Sequence, residues 1–269
     1  MHTEDWTFDT HRIRLYIEGE GPTLLLIHGI GPGTSIPANF ASVIPALAKH
    51  FRVVGMDLIG FGGSSRKTEA PFFDFELWCR QAAFVAEKLG ADLSRVWGQS
   101  LGGAIALRLA ADNPAITRVL TTGAGGGNHR LNAALDRFWT FPDSPDALRT
   151  AMLGSMFDTS GITDALVNER YETLQQGGIG EYFSAMMAGD KQALLNSVTL
   201  SADALAKVQA QVLVIHGRED TPVPWEDNAL PVMRHLSHCD MVILGRCGHN
   251  PAREYPEKTL ALALGHFAD

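Results

Sequence analysis

The sequence has little cysteine, and its cysteines form no recognisable framework. Cys79, Cys239 and Cys247 are too few and too scattered for a set of disulfide bonds, and no C-x-x-C pair is present. We therefore expect reduced thiols and a cytoplasmic location. Cys247 lies two residues before His249, but we interpret it as a small buried apolar residue rather than a reactive thiol.

Three further absences exclude other classes of protein. No apolar run reaches the roughly 18 residues that cross a bilayer, so no membrane partner is expected. Residues 1–12 contain acids and no apolar core, which argues against a secretory signal. The formal net charge is −8 and no basic cluster stands out, which argues against a nucleic-acid partner. We expect a small-molecule substrate and neither a metal nor a cofactor.

Apolar runs alternate with helical patterns along most of the 269 residues. Continuous apolar runs are typical of buried parallel strands, and apolar residues at every third or fourth position are typical of helices. Strands are predicted at 13–18, 23–28, 51–57, 95–100, 116–124, 211–217 and 239–245, and helices at 74–89, 101–112 and 256–267. This alternation predicts an α/β fold with a parallel sheet covered on both faces.

The alternation stops between about residues 125 and 206, where helical patterns continue without buried strands. We interpret residues 125–206 as a helical insertion packed over one end of the sheet. Residues 1–124 and 207–269 would then form the α/β core. A separate domain is the alternative, but the segment has no linkers of its own, which favours an insertion.

One serine lies between two glycines in GQSLGG (98–103), where a predicted strand gives way to a predicted helix. A serine hydroxyl acts as a nucleophile only with a base, an orienting acid and donors for the oxyanion. A tight strand-to-helix turn would present Ser100 at the carboxyl end of the strand, beside a helix N-terminus. Ser100 is therefore the predicted nucleophile.

The predicted base and acid each follow a later strand. His249 lies in a loop just past strand 239–245, with no helix predicted before residue 256, although a plain surface histidine is the alternative. Asp220, after strand 211–217, is the predicted acid, whereas Glu219 is expected to face solvent or pair with Arg218. The order Ser100, Asp220, His249 is that of α/β-hydrolases.

The glycine-rich segment HGIGPG (28–33) follows a buried strand directly. Its backbone N–H groups can face the serine, so Ile30 and Leu101 are the predicted oxyanion donors. A phosphate-binding loop is the alternative. The segment matches neither G-x-G-x-x-G opening a helix nor G-x-x-x-x-G-K-[ST], which argues against that alternative.

With HGIGPG, GQSLGG, GREDTPVP and CGHNP in this order, the chain resembles the α/β-hydrolase superfamily over nearly its whole length. The resemblance implies a mostly parallel eight-stranded sheet with helices on both faces and a helical cap. Within the superfamily the chain is most similar to the meta-cleavage-product hydrolases. That similarity lies in HGIGPGTSIPANF (28–40), DLIGFGGSS (57–65) and ITDALVNERYETLQ (162–175).

This resemblance implies hydrolysis of a carbon–carbon bond in a 2-hydroxy-6-oxo-dienoate, and a homodimer is common in the resembled family. Arg170 matches the family's cap arginine, which holds the polar end of the substrate, and Asn39 matches a polar pocket residue. Gly29, Gly31 and Asn250 complete the expected substrate contacts. A solvated helix position for Arg170 and a helix cap for Asn39 are the alternatives.

The chain departs from the family pattern at two positions. Ile30 replaces a common glycine, which matters little because only its N–H is needed, and Asn250 replaces a tryptophan, which changes the pocket wall. Three other functions remain open: a carboxylesterase or lactonase, a cofactor-independent oxygenase or haloperoxidase-like enzyme, and a non-enzymatic binding module.

Overall fold

A computed structural model of the protein describes residues 1–268. One sheet of eight strands runs through the molecule, in the order β1-β2-β4-β3-β5-β6-β7-β8. The strands are β1 (His2–Phe8), β2 (His11–Glu18), β3 (Thr23–Ile27), β4 (Arg52–Met56), β5 (Leu93–Gln99), β6 (Arg118–Thr122), β7 (Gln211–Gly217) and β8 (Cys239–Leu244). The predicted α/β fold with a mostly parallel eight-stranded sheet is confirmed, and all seven strands predicted individually are present.

The six strands from β3 to β8 run parallel to their neighbours, whereas β2 is antiparallel to both β1 and β4. The sequence analysis assigned no strand to residues 1–12, and this was wrong, because β1 pairs with β2 along its whole length. Only Phe8 of β1 is buried. An edge strand with so little burial carries no apolar alternation by which it could be recognised.

Helices cover both faces of the sheet, and alternate side chains of each central strand pack on opposite faces. In β3, Leu25 and Ile27 join the core under α3 and α4, while Leu24 and Leu26 join the core under α1, α2 and α13. These helices are α1 (Ile36–Phe40), α2 (Ile44–Leu47), α3 (Phe75–Leu89), α4 (Leu101–Asp112) and α13 (Pro256–Phe267). Burial of each large aliphatic side chain contributes about 1.5–3 kcal/mol.

Between β6 and β7, the regular elements within residues 125–206 are all helices. They are α5 (Ala133–Phe138), α6 (Pro145–Ser155), α7 (Asp164–Leu174), α8 (Ile179–Met186), α9 (Lys191–Ser197) and α10 (Ala202–Ala206). Side chains of α6 and α7 form a small apolar cluster of their own, which includes Leu148, Met152 and Val167. Among residues 1–268, no helix is both long enough and apolar enough to cross a membrane.

Two short helices near the C-terminus complete the core, α11 (Ala229–Met233) and α12 (Pro251–Glu254). The prediction of no helix between strand 239–245 and residue 256 is wrong, because α12 begins two residues after His249. The side chain of Asn250 accepts a hydrogen bond from the N–H of Arg253 and so caps α12. A four-residue helix is too short to produce the periodic apolar pattern on which sequence prediction relies.

The junction between β5 and α4 is packed so closely that it needs glycine. A Cβ atom at Gly98 would lie 2.1 Å from the carbonyl oxygen of Gly102, and one at Gly102 would lie 2.3 Å from that of Ile27. These distances are far below van der Waals contact, and the atoms that they involve belong to the backbone. The two glycines therefore allow α4 to begin directly against β3 and β5.

We predict that Gly102→Ala lowers the free energy of unfolding by more than about 2 kcal/mol, because the backbone of β3 must move to admit the methyl group. Denaturant titration measures the change. Gly265→Ala, in α13, is the matched control, since nothing lies within 4 Å of its Cβ position. Alanine in a helix interior is favoured by up to about 1 kcal/mol, so the control should be neutral or stabilised. Equal unfolding midpoints for Gly102→Ala and the parent would contradict the prediction.

Candidate active site

Ser100 stands alone between β5 and α4 in a strained backbone conformation. Its φ of 54° and ψ of −122° are rare for a residue with a side chain. The N–H of Ser100 donates to the carbonyl of Thr122 at 2.8 Å, and its own carbonyl accepts from Gly103 at 2.8 Å and Gly125 at 2.9 Å. These bonds hold the strained turn in place and direct the hydroxyl away from the sheet.

The structure brings the three predicted catalytic residues together. His249 Nε2 lies 3.0 Å from Ser100 Oγ, and His249 Nδ1 lies 2.8 Å from Asp220 Oδ2. A ring nitrogen that faces a carboxylate carries the proton, so Nδ1 donates and the bare Nε2 can accept the serine proton. The arrangement can therefore activate the Ser100 hydroxyl as a nucleophile.

Asp220 is fully buried in a polar setting that keeps it charged. Its Oδ1 accepts from the N–H of Val223 at 2.9 Å, and its Oδ2 lies 2.9 Å from His216 Nε2 as well as facing His249. Burial by itself would raise the pKa of Asp220. The charge of His249 and the hydrogen bonds from both histidines outweigh burial and hold that pKa far below its usual range.

The contact between Asp220 and His249 raises the pKa of His249, whereas it lowers the pKa of Asp220. Burial lowers the pKa of an imidazole, but the charge of Asp220, its hydrogen bond and the nearby Glu254 raise it, and the net pKa lies above the ordinary 6.5. The buried imidazolium is thus stabilised by a fixed carboxylate. This is the electrostatic support that a general base needs when it takes up a proton.

Backbone contacts fix the position of His249. Its N–H donates to the carbonyl of Ser155 at 2.8 Å, and its carbonyl accepts from Gln99 Nε2 at 2.9 Å. Gln99 is oriented in turn by the hydroxyl of Thr122, which donates to Gln99 Oε1 at 2.6 Å and accepts from the indole N–H of Trp97 at 3.1 Å. The loop that carries His249, residues 245–250, is called the histidine loop here. This buried chain of hydrogen bonds connects the histidine loop to β5 and β6.

Glu254 joins the histidine loop to the helical segment between β6 and β7. One carboxylate oxygen accepts from the N–H of Gly248 at 2.9 Å, and the other accepts from Phe157 at 2.8 Å, just after α6. Burial raises the pKa of Glu254, and these backbone hydrogen bonds oppose the rise. The histidine loop and the end of α6 are therefore held in register by a single side chain.

Two cavities meet at Ser100. The larger has a volume of about 120 Å³, and the smaller has about 20 Å³. Ser100, His249 and Ile30 border both cavities, and Leu101 borders the smaller one. The N–H of Leu101 opens α4, where helix N–H groups have no partner inside the helix. The predicted oxyanion residues therefore lie beside the nucleophile.

All five predicted substrate contacts border the larger cavity: Gly29, Gly31, Asn39, Arg170 and Asn250. The alternative of a helix cap for Asn39 is wrong, because Ser35 caps α1 and Asn39 Oδ1 accepts from the N–H of Gly29 at 2.9 Å. A Cβ at Gly29 would lie 2.8 Å from Ser100 Cβ, so this position needs glycine.

Arg170, on α7, is half-buried, and among residues 1–268 its guanidinium has no hydrogen bond or ion pair. Burial lowers its pKa, and the nearby charge of Arg253 lowers it further. Arg253 borders the same cavity from its rim. A half-buried cation without a partner, beside a second cation, indicates a site for an anion.

The outcome for the remaining polar residues is mixed. Glu219 pairs with Arg218 at 2.7 Å, as predicted, and also accepts from the N–H of Cys247. The Cys247 thiol is buried, and burial raises its pKa, so it stays unreactive.

The contacts of Gln99 and Glu254 were not predicted, since nothing in the sequence indicates that these side chains face the histidine loop. No metal-binding group of acids, histidines and cysteines occurs within the described part of the chain.

Comparisons with known proteins identify the family of this chain. The family model of the alpha/beta hydrolase fold matches residues 22–253. A 2-hydroxymuconate semialdehyde hydrolase from Pseudomonas sp. strain CF600 is 32% identical over 257 residues, which are 95% of this chain and 90% of that protein. A 2-hydroxy-6-oxo-2,4-heptadienoate hydrolase from Pseudomonas putida strain F1 is 30% identical over 87% of this chain and 85% of that protein.

A solved structure of similar shape is the meta-cleavage product hydrolase CumD from Pseudomonas fluorescens IP01. It superimposes with a TM-score of 0.92 at 28% identity and covers 98% of this chain and 97% of its own. The 2-hydroxy-6-oxo-6-phenylhexa-2,4-dienoate hydrolase from Rhodococcus sp. strain RHA1 gives a TM-score of 0.87 at 27% identity, over 99% of this chain and 98% of its own.

We predict that Asp220→Asn lowers the pKa of the His249 ring. The raised pKa depends on the Asp220 carboxylate, and without that carboxylate burial dominates and favours the neutral ring. In the parent, the raised pKa favours the protonated ring, and in the variant the neutral ring should predominate down to a lower pH than in the parent. NMR titration of the ring measures both values. Glu219→Gln is the control, because its carboxylate pairs with Arg218, and it should leave the titration unchanged. An unaltered His249 pKa in Asp220→Asn would contradict the assignment.

Proposed function

This chain is an enzyme of the alpha/beta hydrolase family and is related to hydrolases of meta-cleavage products. On that premise we propose that it hydrolyses a carbon–carbon bond in a 2-hydroxy-6-oxo-dienoate, with Ser100 as nucleophile, His249 as base and Asp220 as the orienting acid. The products are a 2-hydroxydienoate and a carboxylic acid. The observation that carries this proposal is the unpaired guanidinium of Arg170, in the same cavity as the Ser100 hydroxyl.

The charges around the larger cavity favour an acidic substrate. Arg170 and Arg253 both border it, while the carboxylate of Glu254 already accepts from Gly248 and Phe157. Within residues 1–268, neither cation is paired with a carboxylate. The planar guanidinium of Arg170 suits the two oxygens of a carboxylate, and the substrate's carboxylate would satisfy it.

The chemistry requires ketonisation before cleavage. A carbon–carbon bond breaks only if its electron pair has somewhere to go, and in the 2,6-diketo tautomer the pair can delocalise into the 2-oxo acid. A proton therefore moves first from the 2-hydroxyl group to the carbon chain beside the 6-oxo carbon. The carboxylate anchored at Arg170 places the 6-oxo carbon toward Ser100.

Cleavage then follows the geometry around Ser100. His249 Nε2 takes the hydroxyl proton while Oγ attacks the 6-oxo carbon, and the N–H groups of Ile30 and Leu101 stabilise the oxyanion. Collapse of this intermediate breaks the carbon–carbon bond and leaves an acyl group on Ser100, and the electron pair becomes the dienolate of the released product, which is then protonated. Water, deprotonated by His249, hydrolyses the acyl group, so that one water is consumed for each bond broken.

We further propose that residues 125–206 act as a cap over this site, on a core of residues 1–124 and 207–269. Helices of this segment contribute Phe138, Met152 and Arg170 to the larger cavity. Apolar walls around one cation exclude water and strengthen the electrostatic contacts inside. The cap would thus supply recognition, while the core would supply the reacting groups.

Ser100→Ala should lower kcat for the dienoate by about 10⁴- to 10⁶-fold, because no nucleophile remains to attack the 6-oxo carbon. Loss of the coloured dienol, followed spectroscopically, measures the rate. Ketonisation does not use the serine, so a keto species should accumulate in this variant. Ser197→Ala, at the end of α9, is the control and should keep full activity. Near-normal turnover by Ser100→Ala would refute nucleophilic catalysis.

Arg170→Met should lower kcat/KM for the dienoate by about 30- to 1000-fold, the loss expected when a buried charge-assisted contact of roughly 2–4 kcal/mol is removed. A neutral nitrophenyl ester of similar size should be almost unaffected, because it carries no carboxylate. Arg137→Met, an exposed position of α5, is the matched control. An equal effect on both substrates, or no effect on either, would argue against an acidic substrate and in favour of a carboxylesterase or lactonase.

A further inference from the structure

His216, the last residue but one of β7, is a buried histidine to which the proposed reaction gives no role. Its side chain is fully buried and borders neither of the two cavities at Ser100. The N–H of Asp220 donates to the carbonyl of Gly217 at 3.3 Å, and this turn brings the Asp220 carboxylate back to the end of the strand. His216 and Asp220 therefore meet in the interior, beside the catalytic base.

The contacts of His216 determine which ring nitrogen carries the proton. Nε2 lies 2.9 Å from Asp220 Oδ2 and 2.8 Å from the carbonyl oxygen of Val223, whereas Nδ1 has no hydrogen-bond partner among residues 1–268. A ring nitrogen that faces two oxygens carries a proton, and so Nε2 donates while Nδ1 is left bare. His216 is therefore a hydrogen-bond donor to Asp220.

Val223 connects both partners of this contact. Its N–H donates to Asp220 Oδ1 at 2.9 Å, while its carbonyl accepts from His216. The carboxylate is thus held at both oxygens, by one backbone donor and one ring donor that meet at a single residue. The plane of the Asp220 carboxylate is therefore fixed independently of the catalytic base.

Two ring N–H groups share one oxygen of Asp220. His249 Nδ1 lies 2.8 Å from Oδ2, and His216 Nε2 lies 2.9 Å from the same atom. A hydrogen bond to a carboxylate stabilises its charge, so the oxygen attracts a further proton less strongly. The bond from His216 therefore opposes the effect of Asp220, which raises the pKa of His249.

We propose that His216 is a positioning residue, which orients the Asp220 carboxylate toward His249 and limits how strongly that carboxylate attracts the His249 proton. This inference rests on the proposed function only in the roles of Ser100, Asp220 and His249. A general base works best when it is neutral near the operating pH. Without the second donor, the carboxylate would keep the ring protonated, and unable to accept the serine proton, over more of the pH range.

Other titratable side chains lie near the pair of His249 and Asp220. Glu254, on α12, also raises the pKa of His249, and the charge of Asp220 raises the pKa of His129 against the effect of burial. Two cations border the same cavity as His249: Arg170 and Arg253. The variants below leave all four side chains in place, so that a change in the His249 pKa reports on His216.

NMR titration of His249 in the resting enzyme tests this role without any substrate. His216→Leu and His216→Phe both remove the donor, and the second keeps a ring. Each should raise the His249 pKa by about half a unit or more. His216→Gln keeps an N–H donor at the end of the side chain and should leave the His249 pKa close to that of the parent. An unchanged pKa without the donor, or an equal rise in His216→Gln, would overturn the proposal.

A double-mutant cycle separates action through Asp220 from a general change of the fold. In an Asp220→Asn background the carboxylate is absent, so His216→Leu should no longer raise the His249 pKa. A rise of the same size in that background would refute action through the carboxylate. Thr121→Val is the matched control, because Thr121 Oγ1 on β6 is also buried without a partner and borders neither cavity, and it should leave the titration unchanged.

Turnover gives a second measurement. His216→Leu should lower kcat by about tenfold or more, because the carboxylate no longer holds the imidazole in a fixed orientation toward Ser100. KM should stay the same, since His216 borders neither cavity. The acid limb of the pH profile of kcat/KM should move to higher pH together with the His249 pKa. A raised KM with kcat and the pH profile unchanged would contradict a role in positioning the base.

Two substrates separate this proposal from the proposed function. A dienoate and a neutral nitrophenyl ester use the same base, but only the dienoate has a carbon–carbon bond to cleave. A shifted pH profile for the ester in His216→Leu, with the dienoate left intact by the parent, would support the role of His216 and refute carbon–carbon hydrolysis. Cleavage of the dienoate by His216→Leu with the pH profile of the parent would support the function and refute the role of His216.

Discussion

The fixed charge of Asp220 is the constraint on which the active site depends. The carboxylate is fully buried, yet three contacts keep it ionised: the N–H of Val223 and the rings of His216 and His249. Removing water from a carboxylate is costly, and only such a set of donors makes the charge tolerable. The ionised acid then sets the tautomer of His249 and directs its bare nitrogen toward Ser100. The glycines around Ser100 allow the tight turn between β5 and α4, and this turn places the Ser100 hydroxyl 3.0 Å from the imidazole.

The two cavities beside Ser100 differ in charge, and in the proposed reaction this difference determines which end of the substrate enters which cavity. The larger cavity is bordered by the cations Arg170 and Arg253, and the smaller one is bordered mostly by apolar side chains such as Leu135 and Val198. An acid at one end and an uncharged acyl group at the other match this division. A carbonyl between them would lie at Ser100, where both cavities meet. Orientation therefore follows from electrostatics as much as from shape.

The segment between β6 and β7 is coupled to the catalytic histidine by hydrogen bonds rather than by apolar contact alone. Ser155 accepts from the backbone of His249, and Glu254 holds Phe157 and Gly248 together. The end of α6, which borders the larger cavity, and the loop that carries His249 are thus parts of one hydrogen-bonded unit. A displacement of α6 would change the position of the imidazole. In this arrangement, binding and base positioning share the same contacts.

The sequence by itself determined the α/β class, seven of the eight strands and the chain positions of Ser100, Asp220 and His249, because apolar runs, glycine spacing and loops after strands are local signals. The edge strand β1 and the short helix α12 were not predicted, since neither carries a periodic apolar pattern. Only the tertiary structure decided that Asn39 binds the backbone of Gly29 instead of capping α1, and that Gln99 and Glu254 hold the loop that carries His249. These contacts join a side chain to backbone groups up to 150 positions away in the sequence. Their geometry depends on how the helices pack on the sheet, and this packing cannot be predicted from the local pattern of residues.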